Sequence, residues 1–122
     1  MTLLSPIPIL RISDEAATQR FYIDWLRFRV DWEHRFEPDF PLYLQISRDA
    51  CRLHLSGHQG DGSPGAALRI GCQDVSALLA EFESNTYRTL KPGIETPPWG
   101  GKEWTLVDPF SNRLTFYESP ET

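Results

Sequence analysis

A short strand that runs into an aspartate and then a helix is written twice in this chain. Leu10-Arg11-Ile12-Ser13-Asp14 precedes one amphipathic run, and Leu68-Arg69-Ile70-Gly71-Cys72-Gln73-Asp74 precedes another. Self-similarity on that scale points to one supersecondary unit used two times. In each copy the aspartate is placed as an N-cap, its carboxylate accepting a backbone N–H that has no partner inside the helix. The first helix is expected from Glu15 to Trp25, with Ala17, Phe21 and Trp25 at i, i+4 and i+8 and Tyr22 and Leu26 beside them. The second is expected from Val75 to Asn85, with Val75, Leu78, Leu79 and Phe82 along one side. Both are one-sided apolar stripes suited to packing on a sheet.

Strand patterns follow each helix. In the first half they run from Arg27 to Phe36, Leu42 to Ser47 and Cys51 to Ser56, with Arg48-Asp49-Ala50 as a short hairpin link. In the second half a short strand near Glu95 precedes two more. Trp104 and Leu106 alternate with Thr105 and Val107, and Leu114 and Phe116 alternate with Arg113, Thr115 and Tyr117. Between them Asp108-Pro109-Phe110-Ser111-Asn112 has turn chemistry. Pro109 presets its φ, Asp108 can bond to backbone two residues on, and Asn112 tolerates positive φ. His58 to Gly65 holds four glycines or prolines in eight residues and reads as the linker between halves. The expectation is an α+β domain, βαβββ repeated: a first module at 1–58, a linker at 59–65 and a second module at 66–122. No single copy covers both faces of its sheet, so the copies should pair, within a chain or across a dimer.

With 122 residues the chain is one domain by length. No apolar run approaches the ~20 residues needed to cross a bilayer, so no membrane partner is expected. The start, Met1-Thr2-Leu3-Leu4-Ser5-Pro6, lacks the basic lead and long apolar centre of a signal peptide, which makes the cytoplasm the default. Cys51 and Cys72 are too few and too isolated for a disulfide scaffold and read as reduced, largely buried small apolar residues. The net charge of −5, from 17 acidic and 12 basic residues, comes with no basic stripe, so nucleic acid is not an expected partner. An acidic surface steers cationic ligands.

The C-terminal run Trp99-Gly100-Gly101, a strand, Asp108-Pro109 and Asn112, and a last apolar strand resembles the signature of the glyoxalase/bleomycin-resistance/extradiol-dioxygenase superfamily, the vicinal oxygen chelate fold. The bleomycin-resistance branch is the one it is most similar to. Ser111 stands where that branch has glycine, so Asn112 is expected to carry more of the turn's strain. The resemblance spans nearly the whole chain and implies a curved, partly open barrel with a cup inside. It also implies positions for a divalent metal, on the first and last strand of each copy. Those positions fall near Ile7, near His54, near Ala67 or Leu68, and near Thr115. Only His54 has a ligand side chain, so no metal and no cofactor are expected. His58 lies about 13 Å further along an extended chain than His54, too far for a shared ion, and His34 reads as solvated.

Catalytic patterns are thin. The serines lack a Gly-x-Ser-x-Gly elbow, and the linker glycines are not followed by Lys-Ser/Thr as in a phosphate loop. Glu103, beside Trp104, is either a buried acid of raised pKa or a strand glutamate facing water. The stretch 31–41 is unusual, with three aromatic rings and four carboxylates in eleven residues. Trp32, Phe36 and Phe40 either fill the core or wall a cleft that stacks a flat ligand, with Glu37, Asp39 and Glu95 pairing its amines. Trp99, between Pro98 and Gly100-Gly101, sits in a bend where a tryptophan has little reason to be packed. The resemblance places it in a drug groove at a dimer interface, facing Phe36 or Phe40 of a partner chain; the alternative is an interface plug without a ligand. Trp25 reads as core, and Trp104 as either core or site.

Three functions follow. One is a metal-free homodimer that holds a cationic, bleomycin-like antibiotic through Trp99, Phe36, Phe40, Trp32, Glu37, Asp39, Glu103 and His54. Another is a superfamily enzyme, a lyase, isomerase or dioxygenase relative, with an atypical metal site near His54. The third is a dimeric interaction domain that has lost its ligand.

Overall fold

The computed structural model describes residues 1–84 and 92–118. Strand β1 (Ile9–Arg11) leads into helix α1 (Glu15–Thr18), which continues as a π-helical segment, Gln19–Trp25. Three antiparallel strands follow: β2 (Arg29–His34), β3 (Tyr43–Arg48) and β4 (Cys51–Ser56). The second copy runs β5 (Ala67–Gly71), α2 (Val75–Glu83), β6 (Lys102–Val107) and β7 (Arg113–Glu118). Residue Asn85, the expected end of α2, lies outside the described residues. The strand expected near Glu95 is a single antiparallel bridge to Glu103.

The copies share a strand order, with four strands in the first sheet and three in the second. In the first, the order is β1-β4-β3-β2, with β1 parallel to β4; in the second it is β5-β7-β6, with β5 parallel to β7. A parallel first strand needs a crossover, and the helix supplies it. Both caps form as expected: Asp14 accepts from the Ala17 N–H and Asp74 from the Ala77 N–H, each at 3.0 Å. Neither sheet closes on itself.

The helices pack on one face of their sheets, and the two copies share a core. Phe21, Tyr22, Trp25 and Leu26, at i, i+1, i+4 and i+5, are buried together as one side of the helical run. The helix then stops at Arg27, whose φ of 64° is the left-handed C-terminal conformation. That is why β2 begins at Arg29 and not at Arg27. The Trp25 indole donates to the Phe82 carbonyl at 3.1 Å, and the Trp104 indole to the Val75 carbonyl at 2.7 Å. Trp104, open between core and site in the sequence, is core at 1% exposure.

The turn between β6 and β7 clamps the copies. Asp108 Oδ1 accepts the backbone N–H groups of Phe110 and Asn112 at 2.8 Å each. Its Oδ2 accepts the Tyr22 hydroxyl at 2.6 Å and the Asn112 side-chain amide at 2.8 Å. That amide also donates to the Arg11 carbonyl at 2.9 Å. The turn's strain falls on Ser111, which has φ of 69°, and not on Asn112 as expected. Asn112 is held in an ordinary conformation because its side chain is committed to these bonds. In the linker, Gly62 is a positional requirement: a Cβ there would lie 2.7 Å from the Ile9 carbonyl.

Candidate ligand site

Strand alternation leaves each sheet one face without a helix. On the first sheet a row of directly opposed residues crosses all four strands: Ile9, His54, Gln45 and Trp32. Trp32 stacks on Tyr43, with ring centroids 6.0 Å apart and planes at 10°, and meets His54 edge-on at 5.3 Å. Hydrogen-bond bookkeeping fixes this cluster. The Asp31 carboxylate only accepts, so the Gln45 amide nitrogen faces it at 3.0 Å. Gln45 Oε1 therefore faces His54 Nε2 at 3.0 Å and must receive its proton. His54 Nδ1 is then the acceptor for the Tyr43 hydroxyl, 2.6 Å away. Burial lowers the His54 pKa, which favours this neutral ring.

The corresponding face of the second sheet carries Glu103 and Tyr117 opposite one another and Thr105, Thr115 and Arg69 in the next row. Arg69 Nη2 donates to Glu103 Oε1 at 3.1 Å. The same guanidinium carbon lies 5.4 Å from the centre of the Trp99 ring and 4.8 Å from that of Tyr117. The Glu103 side chain is only 15% exposed, so it is a walled carboxylate and not one facing open water. Trp99 itself is 65% exposed, on a turn closed by the Gly100 N–H to the Pro97 carbonyl at 2.9 Å.

Phe36 and Phe40 occupy the 35–42 loop and stay exposed, as does Trp32; none fills the core. Phe36 contacts His34 and His58 edge-on, at 4.6 and 5.6 Å. His34 is thus exposed yet meets the Phe36 ring edge-on. Arg35 holds the loop, donating to the Phe40 carbonyl and to Glu15. Glu37 and Asp39 are exposed on the same loop. The expected site residues therefore fall into groups: Trp32 with His54, Phe36 and Phe40 on the loop, and Trp99 with Glu103 on the other sheet. Tyr43, Gln45, Arg69 and Tyr117 were not foreseen as site residues. Alternation alone would have placed Arg69 beside Glu103, since both lie opposite the core-facing positions of their strands.

The metal positions implied by the resemblance can be tested on the donor set. Thr115 and Ala67 lie on the open face of the second sheet, with Leu68 on the other side. Ile7 supplies no donor, and both ring nitrogens of His54 are engaged. Among the described residues no three His, Cys, Asp or Glu side chains come together to hold an ion. These residues do not fit a divalent metal.

Two open sheets of four and three strands, each with a parallel first strand that leads into a helix and each with one uncovered polar-aromatic face, define a mixed α/β protein built on a repeated unit. The chain belongs to the glyoxalase superfamily: a family model described as glyoxalase superfamily protein matches residues 2–122. No curated protein matches the sequence. Among solved structures, the fold is similar to a bleomycin resistance determinant encoded on the transposon Tn5. That likeness has 19% identity and a TM-score of 0.74, over 96% of this chain and 98% of that one. A bleomycin-binding protein complexed with bleomycin is similar at 21% identity and TM-score 0.71, over 96% and 99%. A glyoxalase family protein from Enterococcus faecalis is similar at 17% and 0.70, over 92% and 94%. At these identities the likeness is one of fold.

Proposed function

We propose that this protein is a metal-free homodimer that captures a flat, cationic small molecule of the bleomycin type in the cytoplasm, stoichiometrically and without turnover. The observation that carries the reading is the pairing of uncovered rings with carboxylates on faces that lack a metal-ligand set. Trp32, Phe36, Phe40 and Trp99 are 43%, 69%, 45% and 65% exposed. Exposed rings in such number mark an interaction surface. Solved structures of the same fold include one in complex with bleomycin. The placement of the aromatic groups on two sheets and a loop supports a dimer, in which a second chain brings them to face one another. Trp99 would then stand opposite Phe36 or Phe40 of the partner subunit. Each ring stacked on a planar ligand contributes about 0.5–1.5 kcal/mol beyond its buried area. Glu37, Asp39, Glu95 and Glu103 would meet the ligand's cationic groups through charge-assisted hydrogen bonds.

Titration with copper-loaded bleomycin, followed by tryptophan fluorescence, tests this. Quenching that saturates at two ligands per dimer, and that Trp99→Ala largely removes, is the expected result; sedimentation should return a dimer. Absence of quenching, or a monomer that still binds, refutes the reading. Metal analysis giving one divalent ion per chain would replace it with an enzyme centred on His54.

A further inference from the structure

The depression beneath Trp99, about 280 Å³ in volume, is lined by Arg69, Trp99, Lys102, Glu103, Tyr117 and Glu118, with Pro97 and Gly100 at its edge. Its walls are those of a cation site. Two rings offer their faces, and a largely buried carboxylate offers a fixed charge. A second carboxylate, Glu118, lines it with the Lys102 ammonium, and Glu95 stands just outside, opposite Glu103 across a pair of backbone hydrogen bonds of 2.8 and 2.9 Å. With Glu103, Glu118 and the nearby Glu95 set against Lys102 alone, the carboxylates outnumber the cations, so the slot calls for one more positive group.

The partner present is the chain's own. We propose that Arg69 is a built-in competitor, seated in a slot for guanidinium or ammonium groups, and that a cationic ligand enters by displacing it. The inference rests on the reading of this site as a cation binder, not on the identity of the drug. The asymmetry of burial supports it. Glu103 is 15% exposed and belongs to the wall, whereas the Arg69 side chain is 43% exposed and approaches from solvent. A part-exposed ion pair and solvent-facing cation–π contacts each hold weakly. Arg69 can therefore leave without unfolding anything. A ligand must outcompete it, a handicap of about tenfold in affinity for contacts of that strength. The device gives selectivity: single weak cations stay out, and a ligand with several anchors, rings included, gets in.

Agmatine, a small molecule carrying one guanidinium and one ammonium, is the probe, with indole fluorescence as the signal and Trp99→Phe to assign it. Arg69→Ala is expected to bind agmatine about tenfold more tightly than the unaltered protein, and Arg69→Met, which keeps the apolar stem, should do the same. Adding Glu103→Gln to either variant should abolish the gain. Equal affinities with and without Arg69, weaker binding on its removal, or no agmatine binding by either variant overturns the proposal. Bleomycin titration separates the two claims. A protein that binds bleomycin while neither Arg69 variant gains agmatine refutes the competitor and leaves the capture function standing. The gain for agmatine in a protein that ignores bleomycin supports the slot and refutes only the drug class.

Discussion

Tyr22→Phe removes a single hydroxyl from the joint between the two copies, and its effect can be worked out from the structure. Tyr22 is fully buried and Asp108 is 3% exposed, and their oxygens are 2.6 Å apart. A hydrogen bond to a charged group contributes about 1.5–3 kcal/mol net. Asp108 would keep its three other donors, Asn112 twice and Phe110 once, so the carboxylate is not orphaned. The loss should therefore fall in the middle of that range, about 2 kcal/mol. Urea unfolding followed by far-UV circular dichroism reads it as a lower midpoint with an unchanged slope. A domain of this size loses roughly 3–5 °C of Tm per kcal/mol, so heating should show a fall of about 6–10 °C. A pH series gives a second reading. Burial, then the Asp108 charge and its hydrogen bond, raise the Tyr22 pKa well above its ordinary value. The folded state thus keeps a proton that the unfolded chain releases near pH 10, and the unfolded state binds fewer protons above that point. Stability falls as pH rises above about 10, and the variant should show a shallower fall. A loss under 0.5 kcal/mol, with the alkaline limb unchanged, would refute the clamp.

Other consequences are simpler to check. Ser111→Gly should raise the unfolding midpoint by about 0.5–1 kcal/mol, because relief of a left-handed residue slightly exceeds the entropy that glycine adds to the unfolded chain. Asp14→Ala and Asp74→Ala should each cost about 1 kcal/mol and add when combined, since they cap separate helices; strong non-additivity would deny their independence. Burial raises the pKa of both Cys51 and Cys72. Iodoacetamide labelling at pH 7 should therefore be slower than for a free thiol, and should accelerate above pH 9, as the thiolate is the nucleophile. Fast labelling at neutral pH would show the thiols to be more open than this.

The architecture was legible because each of its parts has a local signature. The repeat showed in Leu-Arg-Ile and in the two capping aspartates, and Cys51 to Ser56 alternates so cleanly that its strand has the expected bounds. What was not legible depends on long-range geometry. Nothing in Gln19 to Trp25 distinguishes π from α bonding, because its apolar residues fall on one side of either helix. The burial of Trp104 and the exposure of Trp32 have the same cause, as period-2 patterns give the faces of a strand without saying which face a helix will cover. Arg69 was hidden for a further reason. It belongs to the repeat that announces the fold, so its position was explained before its side chain was considered.

The two copies differ most where they would be compared last, in their final turns. The β3–β4 link is two residues, with Asp49 in the left-handed conformation at φ of 53°, and Arg48 beside it pairs with Glu81 of α2 through two contacts of 2.9 Å. The β6–β7 link is the five-residue run from Asp108 to Asn112, and it reaches across to Tyr22 and Arg11 of the first copy. Tyr22 lies eight residues after Asp14, and Phe82 lies eight after Asp74. Only the first copy has a hydroxyl at this place, and only the second has a turn long enough to accept one. The Asp-Pro-x-x-Asn run that helps carry the family resemblance is thus a joint between the two copies, its polar side chains spent on bonds within the protein. Function has to be sought in residues that the joint leaves free, on the uncovered faces around Trp32 and Trp99. There, one exchange at Arg69 changes what can enter and leaves the clamp as it was.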